Sequence, residues 1–212
     1  MLRIGLTGGI AAGKSVVARR MEALGAVLVD SDVLARTVVE PGSEGLHEVV
    51  AAFGPGIVAP DGSLDRGALG RLIFGDPAAR VRLNGIVHPR VRAAAVELVS
   101  QAAENSIVVE DIPLLVETGQ APRFHVVVVV DAADGIRVQR MVEHRGMDRQ
   151  DAEQRIASQA GREERLREAD AILVNDRSPA ELLAATHALW HERLEPFAAN
   201  LAAGRPATAQ GR

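Results

Sequence analysis

The sequence predicts an α/β fold in three layers, a five-stranded parallel sheet with helices on both sides. The first observation behind this is a set of five short apolar segments rich in β-branched residues. They are Leu2 to Thr7, Ala26 to Asp30, Ser106 to Glu110, His125 to Val130 and Ala171 to Val174. Continuous apolar runs of this length suit parallel strands buried on both faces. The second observation is that helix-like stretches separate them, which implies right-handed crossovers and a doubly wound sheet. The third is a glycine-rich loop between the first strand and the first helix.

The elements follow in order. Lys14 to Leu24 reads as the first helix. The gap between the second and third strands is longer than one crossover needs. It holds helical segments punctuated by Pro41-Gly42, Phe53-Gly54-Pro55-Gly56, Asp61-Gly62 and Asp76-Pro77. An insertion over about residues 34–103 on a small α/β core carries contacts to substrate. Within it, His88-Pro89 is expected to break a helix, and Phe53 and Phe74 read as core residues. Gly135 to Arg145 and Asp148 to Glu168 read as helices, with 138–167 forming an arginine-rich excursion suited to a closing lid. Ser178 caps a last helix with Pro179 in its first turn. The tail, about 198–212, is expected to be flexible.

Composition narrows the function. The chain has 212 residues and a net charge of −4, from 24 basic and 28 acidic side chains. Nucleic acid as the main partner calls for a basic excess instead. There is no cysteine, which excludes disulfides and thiolate metal sites. No apolar run approaches the roughly 20 residues of a membrane span, and the start MLRIGLTGG lacks a signal peptide's apolar stretch, so a cytoplasmic protein is expected. Lys14 is the single lysine among the 24 basic residues.

That lysine belongs to the strongest motif, Gly8-x4-Gly13-Lys14-Ser15, set between a strand and an amphipathic helix. In a phosphate-binding loop, or P-loop, of this kind, successive backbone N–H groups and a helix N-terminus wrap a nucleotide's β-phosphate. Lys14 reaches the β- and γ-phosphates, and the Ser15 hydroxyl is a ligand for Mg²⁺. Asp30-Ser31-Asp32 ends the second strand, where ligands of open α/β sheets bind. Asp30 is expected to cap the next helix and Asp32 to take a proton from an attacking hydroxyl. Glu110-Asp111 ends the third strand, and either acid is a candidate to face the metal. Arg137, Arg140, Arg145, Arg149, Arg155 and Arg162 populate the excursion. Most read as a solvated helix face, with Arg140 the candidate for charge at a moving phosphoryl group. A guanine-specific N-K-x-D run is impossible in a chain whose only lysine is Lys14.

Taken together, LTGGIAAGKS, VDSD, VLARTVVEPG, AFG, DGSLDRGALGRLIF, LNGIVHP, VVEDIPLLVE, QRMVEHRG, RIASQ and AILVN resemble the dephospho-coenzyme A kinase family. They stand in that family's order over about residues 3–176. The resemblance implies a P-loop NTPase core with a helical substrate-binding insertion and a lid. It also implies an ATP-dependent phosphotransferase acting on the ribose 3′-hydroxyl of dephospho-coenzyme A. ATP and Mg²⁺ are then the expected cofactors, and a monomer or small homo-oligomer the expected state. By position, Asp32, Lys14 and Arg140 are implied to be catalytic. Gly8, Gly9, Ala11, Ala12, Gly13, Lys14, Ser15, Val16 and Asn175 are implied to bind ATP, and Asp32, Asn84, His88 and Asp111 the acceptor. The family's loop usually reads GGIGSGKS. Ala11 stands where that pattern has glycine, so its backbone is expected to take an ordinary negative φ.

Overall fold

Strands form where β-branched residues run without interruption, and the valine run at 126–130 is the clearest case. A computed structural model describes residues 1–205. The strands are β1 (Leu2–Gly8), β2 (Val27–Asp30), β3 (Ile107–Asp111), β4 (Val126–Asp131) and β5 (Ala171–Val174), in the order β2-β3-β1-β4-β5. The central strand β1 pairs in parallel with β3 on one side and β4 on the other, so Leu6 stands between Asp111 and Val128.

The two faces of the sheet carry separate apolar clusters, as the period of two requires. Val126, Val128 and Val130 pack with Val17 and Met21 of α1 (Lys14–Ala23) and Leu182 of α9 (Pro179–Leu189). Val127 and Val129 pack with Ile112, Leu115, Phe124 and Leu166. This is a sheet covered on both faces, the P-loop kinase architecture.

The chain divides into two compact units, one of Met1–Val29 with the chain from Ala102 onward, the other of Asp30–Gln101. The second unit is helical: α2 (Ser31–Thr37), α3 (Glu44–Phe53), α4 (Arg66–Ile73) and α5 (Pro77–Gln101). Val39, Leu46, Val49, Ile57 and Leu69 form its own core. The first unit continues with α6 (Asp134–Arg145), α7 (Arg149–Ala157), α8 (Arg162–Arg167), α9 and α10 (Glu195–Ala202). A π-helical turn, Trp190–Leu194, joins α9 to α10.

Three expectations are corrected. Pro89 does not break a helix, because α5 runs through it. Gly85, whose carbonyl loses the missing N–H, is exposed to water, and the Arg90 guanidinium donates to the next carbonyl, Ile86, at 2.8 Å. Phe74 is not core: it follows α4 in an extended turn and is 90% exposed, whereas Phe53 packs in the unit's core. The stretch 148–168 is two helices, with Gly161 opening the second at its N-cap. Helix Glu195–Ala202 reaches into the segment expected to be flexible, an expectation that this does not decide, and residues 206–212 lie outside the described residues. Among the described residues no helix is long and apolar enough to cross a membrane.

Candidate active site

β1 ends at Gly8 and α1 begins at Lys14, so residues 9–13 must turn the chain within five positions. The turn is closed by Ala12 N–H donating to the Gly9 carbonyl at 3.0 Å. Its third residue, Ala11, has φ 60°, the one positive φ outside glycine among the described residues. The expected negative φ at Ala11 is therefore wrong. A turn closed over four residues with positive φ only at the third is type II, which normally places glycine there. Gly13 at the N-cap of α1 has φ 102°, and a Cβ there would stand 2.3 Å from Asn175 Nδ2. Conformation and space both require glycine at 13.

Side chains hold three successive carbonyls of the loop. Arg137 Nε donates to Ile10 at 2.9 Å, Arg140 Nη1 to Ala11 at 3.3 Å, and Asn175 Nδ2 to Ala12 at 2.7 Å. Engaged carbonyls cannot swing toward a phosphate, where their lone pairs would repel it, so the loop is biased to offer N–H groups instead. Arg140 also donates through Nη2 to the Asn175 backbone carbonyl at 2.8 Å and to its Oδ1 at 3.3 Å. Asn175 is itself buried at the end of β5. Arg140 and Asn175 are thus brought together on the loop.

Lys14 makes an ion pair and hydrogen bond with Asp111 Oδ1. Neighbouring residues of a strand point to opposite faces, and this separates the two acids at the end of β3. Asp111 meets Lys14, while Glu110 pairs with Arg3 and Arg123. Asp111 is the acid beside the loop; Glu110 is tied into the fold. Ser15 and Val16 open α1 exposed, and Val16 N–H donates to the Gly13 carbonyl at 2.9 Å. A serine hydroxyl and a nearby carboxylate are hard oxygen donors that fit Mg²⁺ completed by phosphate oxygens and water. No cluster of three or more His, Cys, Asp or Glu among the described residues forms an all-protein cation cage.

The excursion is not a uniformly solvated face. Arg145, Arg149 and Arg155 are exposed, but Arg137 is only 2% exposed. Burial pulls its guanidinium below the ordinary arginine value, and the charges of Asp134 and Asp131 partly restore it. Arg137 and Arg140 share one helix face, as their spacing of three predicts, and the apolar Val138 and Met141 beside Arg137, both buried, are the signal for its burial. Arg162 grips both carboxylate oxygens of buried Asp131, at the end of β4, with Nε at 3.0 Å and Nη2 at 2.6 Å. Those hydrogen bonds and that charge raise the Arg162 pKa further above its ordinary value.

In the second unit, Asp30 caps α2: its Oδ1 accepts from Asp32 N at 2.8 Å and Val33 N at 3.0 Å. The Asp32 side chain is not used by that cap and is exposed. Asn84 and His88, four residues apart on α5, are both exposed.

The family model described as dephospho-CoA kinase matches residues 2–181. The chain belongs to the dephospho-CoA kinase family. A dephospho-CoA kinase of Mycolicibacterium paratuberculosis is 55% identical over 201 residues, covering 95% of this chain and 49% of that protein. One from Streptomyces avermitilis is 50% identical over 190 residues, covering 90% and 93%. A crystal structure from Thermus thermophilus superposes with a TM-score of 0.77 at 35% identity, covering 90% of this chain and 97% of that one. The chain thus spans about half the length of the mycobacterial dephospho-CoA kinases it matches and nearly all of the Streptomyces one.

Proposed function

We propose that the chain transfers the γ-phosphoryl group of ATP to the ribose 3′-hydroxyl of dephospho-coenzyme A, giving coenzyme A and ADP. The observation that carries this is Lys14 beside Asp111 at a loop whose carbonyls are held by Arg137, Arg140 and Asn175, in a member of this family. Gly8, Gly9, Ala11, Ala12, Gly13, Lys14, Ser15 and Val16 form the triphosphate site, which uses the loop backbone, the lysine ammonium and the start of α1. Asn175 borders the adenine, and Arg140 offsets charge on the phosphates. Mg²⁺ held by Ser15 supplies charge neutralisation at the phosphate oxygens when bound.

Asp32 accepts or orients the proton of the attacking hydroxyl, since capping by Asp30 leaves its carboxylate available. Asn84 and His88 on α5, with Asp111, bind the acceptor. The insertion at about 34–103 is the coenzyme A-binding part, and 138–167 covers the reacting phosphates. The reading includes a cytoplasmic monomer or small homo-oligomer that acts on small molecules.

Purified protein with ATP and Mg²⁺ is to be offered dephospho-coenzyme A, nucleoside monophosphates and shikimate in parallel. ADP formation dependent on dephospho-coenzyme A alone is expected. Preference for one of the other acceptors would replace the proposal with that kinase activity.

A further inference from the structure

Ala11 is held in a backbone conformation that alanine disfavours, and the restraints on its neighbour explain how. Both backbone polar atoms of Ile10, its N–H and its carbonyl, are gripped by side chains distant in sequence. Its N–H donates to Gln159 Oε1 at 2.8 Å, and its carbonyl accepts from Arg137 Nε at 2.9 Å. The two side chains are also bonded to each other, Arg137 Nη2 to Gln159 Oε1 at 3.3 Å. Arg137 Nη1 is anchored to Asp134 Oδ1 at 2.8 Å. The guanidinium lies against Gly9, where an added Cβ would stand 2.6 Å from Cζ. So the first residue of the turn excludes any side chain that would dislodge the clamp.

We infer that Arg137 and Gln159 are positioning residues: Arg137 holds the Ile10 carbonyl, and with it the 10–11 peptide, while Gln159 holds the Ile10 N–H and Arg137 itself, and together they keep Ala11 in the left-handed conformation of the phosphate loop. The inference rests on the reading of that loop as the ATP site. Turning an alanine from an ordinary φ to a left-handed one is unfavourable, while glycine makes the change freely. With the clamp intact, that penalty is met when the chain folds, and the loop awaits the nucleotide preformed. Without it, Ala11 relaxes and ATP binding must restore the strained turn, lowering apparent affinity by the fraction of loop still competent. Glycine at 11 removes most of the need for a clamp, so residue 11 and residue 159 are energetically coupled through backbone conformation.

The test is calorimetric titration of ATP into the full chain, with melting temperatures recorded for each variant. Gln159→Ala is expected to weaken ATP binding about tenfold, equivalent to about 1.4 kcal/mol. Adding Ala11→Gly to Gln159→Ala is expected to recover most of that loss. In the parent background, Ala11→Gly is expected to raise the melting temperature and to gain far less affinity. Gln159→Glu, which keeps an acceptor for both donors, is expected to bind ATP more tightly than Gln159→Ala. The clamp is overturned if Ala11→Gly shifts affinity by the same factor in both backgrounds, or if Gln159→Ala binds ATP as the parent does. Absence of ATP binding by the parent itself would overturn the phosphate-site reading, and the clamp's role with it.

Discussion

Lys14 stands alone in a chain that uses arginine at every other basic position, and its surroundings explain the choice. An ammonium is a compact point charge whose three donors can turn from a carboxylate to phosphate oxygens, whereas a guanidinium is a rigid planar fork. Here the lysine is paired with Asp111, a partner able to keep it in place until a phosphate competes for it. Two other residues show where sequence reading stops. Ala11 takes a positive φ because the Ile10 backbone is clamped at its N–H by Gln159 and at its carbonyl by Arg137, contacts made across more than 120 positions of sequence that no local pattern reveals. Phe74 is exposed although aromatic, since an isolated phenylalanine after a helix has no periodic partner to orient it. At this scale the account predicts that Asp32→Asn binds ATP and dephospho-coenzyme A but lowers kcat by about 10²–10⁴-fold. Single-turnover kinetics beside binding titrations check it, and near-normal turnover would remove Asp32 from the role of base.

Elements were legible where the chemistry is local. The strands fall within one residue of the β-branched runs: burial on both faces demands such runs at β1, β3 and β4, while the edge strand β5 keeps its run although Ile172 and Val174 are exposed. Ser178-Pro179 opens α9 as expected, in a full capping box with Glu181. Less legible were features decided by satisfaction of backbone groups elsewhere. Pro89 is tolerated inside α5, where Gly85, the residue whose carbonyl it orphans, is exposed, and 148–168 divides where Gly161 restarts the helix. The capping box carries a pH prediction. Hydrogen bonds from the Ser178 backbone and hydroxyl favour ionised Glu181 and lower its pKa from 4.5. Its contribution is therefore present above its unfolded value and lost as pH falls through the lower folded one. Melting curves of the parent and Glu181→Gln should differ near neutral pH and converge on acidification through that window. A gap constant across the range would place the effect in packing rather than charge.

At the scale of the molecule, the sheet and the loop support the proposed triphosphate site and leave the acceptor unnamed. Asp32, Asn84 and His88, which the proposed acceptor chemistry uses, belong to the helical unit Asp30–Gln101. They were legible as motifs, VDSD and LNGIVHP, but their roles came through family likeness, since an exposed carboxylate or imidazole has many uses. Conversely, the Arg137–Gln159 contact beside the loop and the Arg162–Asp131 contact at the end of β4 became visible only with the chain folded. The central claim is the destination of the phosphoryl group. The most direct measurement supplies ATP labelled in its γ-phosphate together with dephospho-coenzyme A, and locates the label in the products by chromatography and phosphorus NMR. The account predicts the label on the ribose 3′-oxygen of coenzyme A, in proportion to the ADP formed. Label recovered as inorganic phosphate, with the acceptor unchanged, would contradict it.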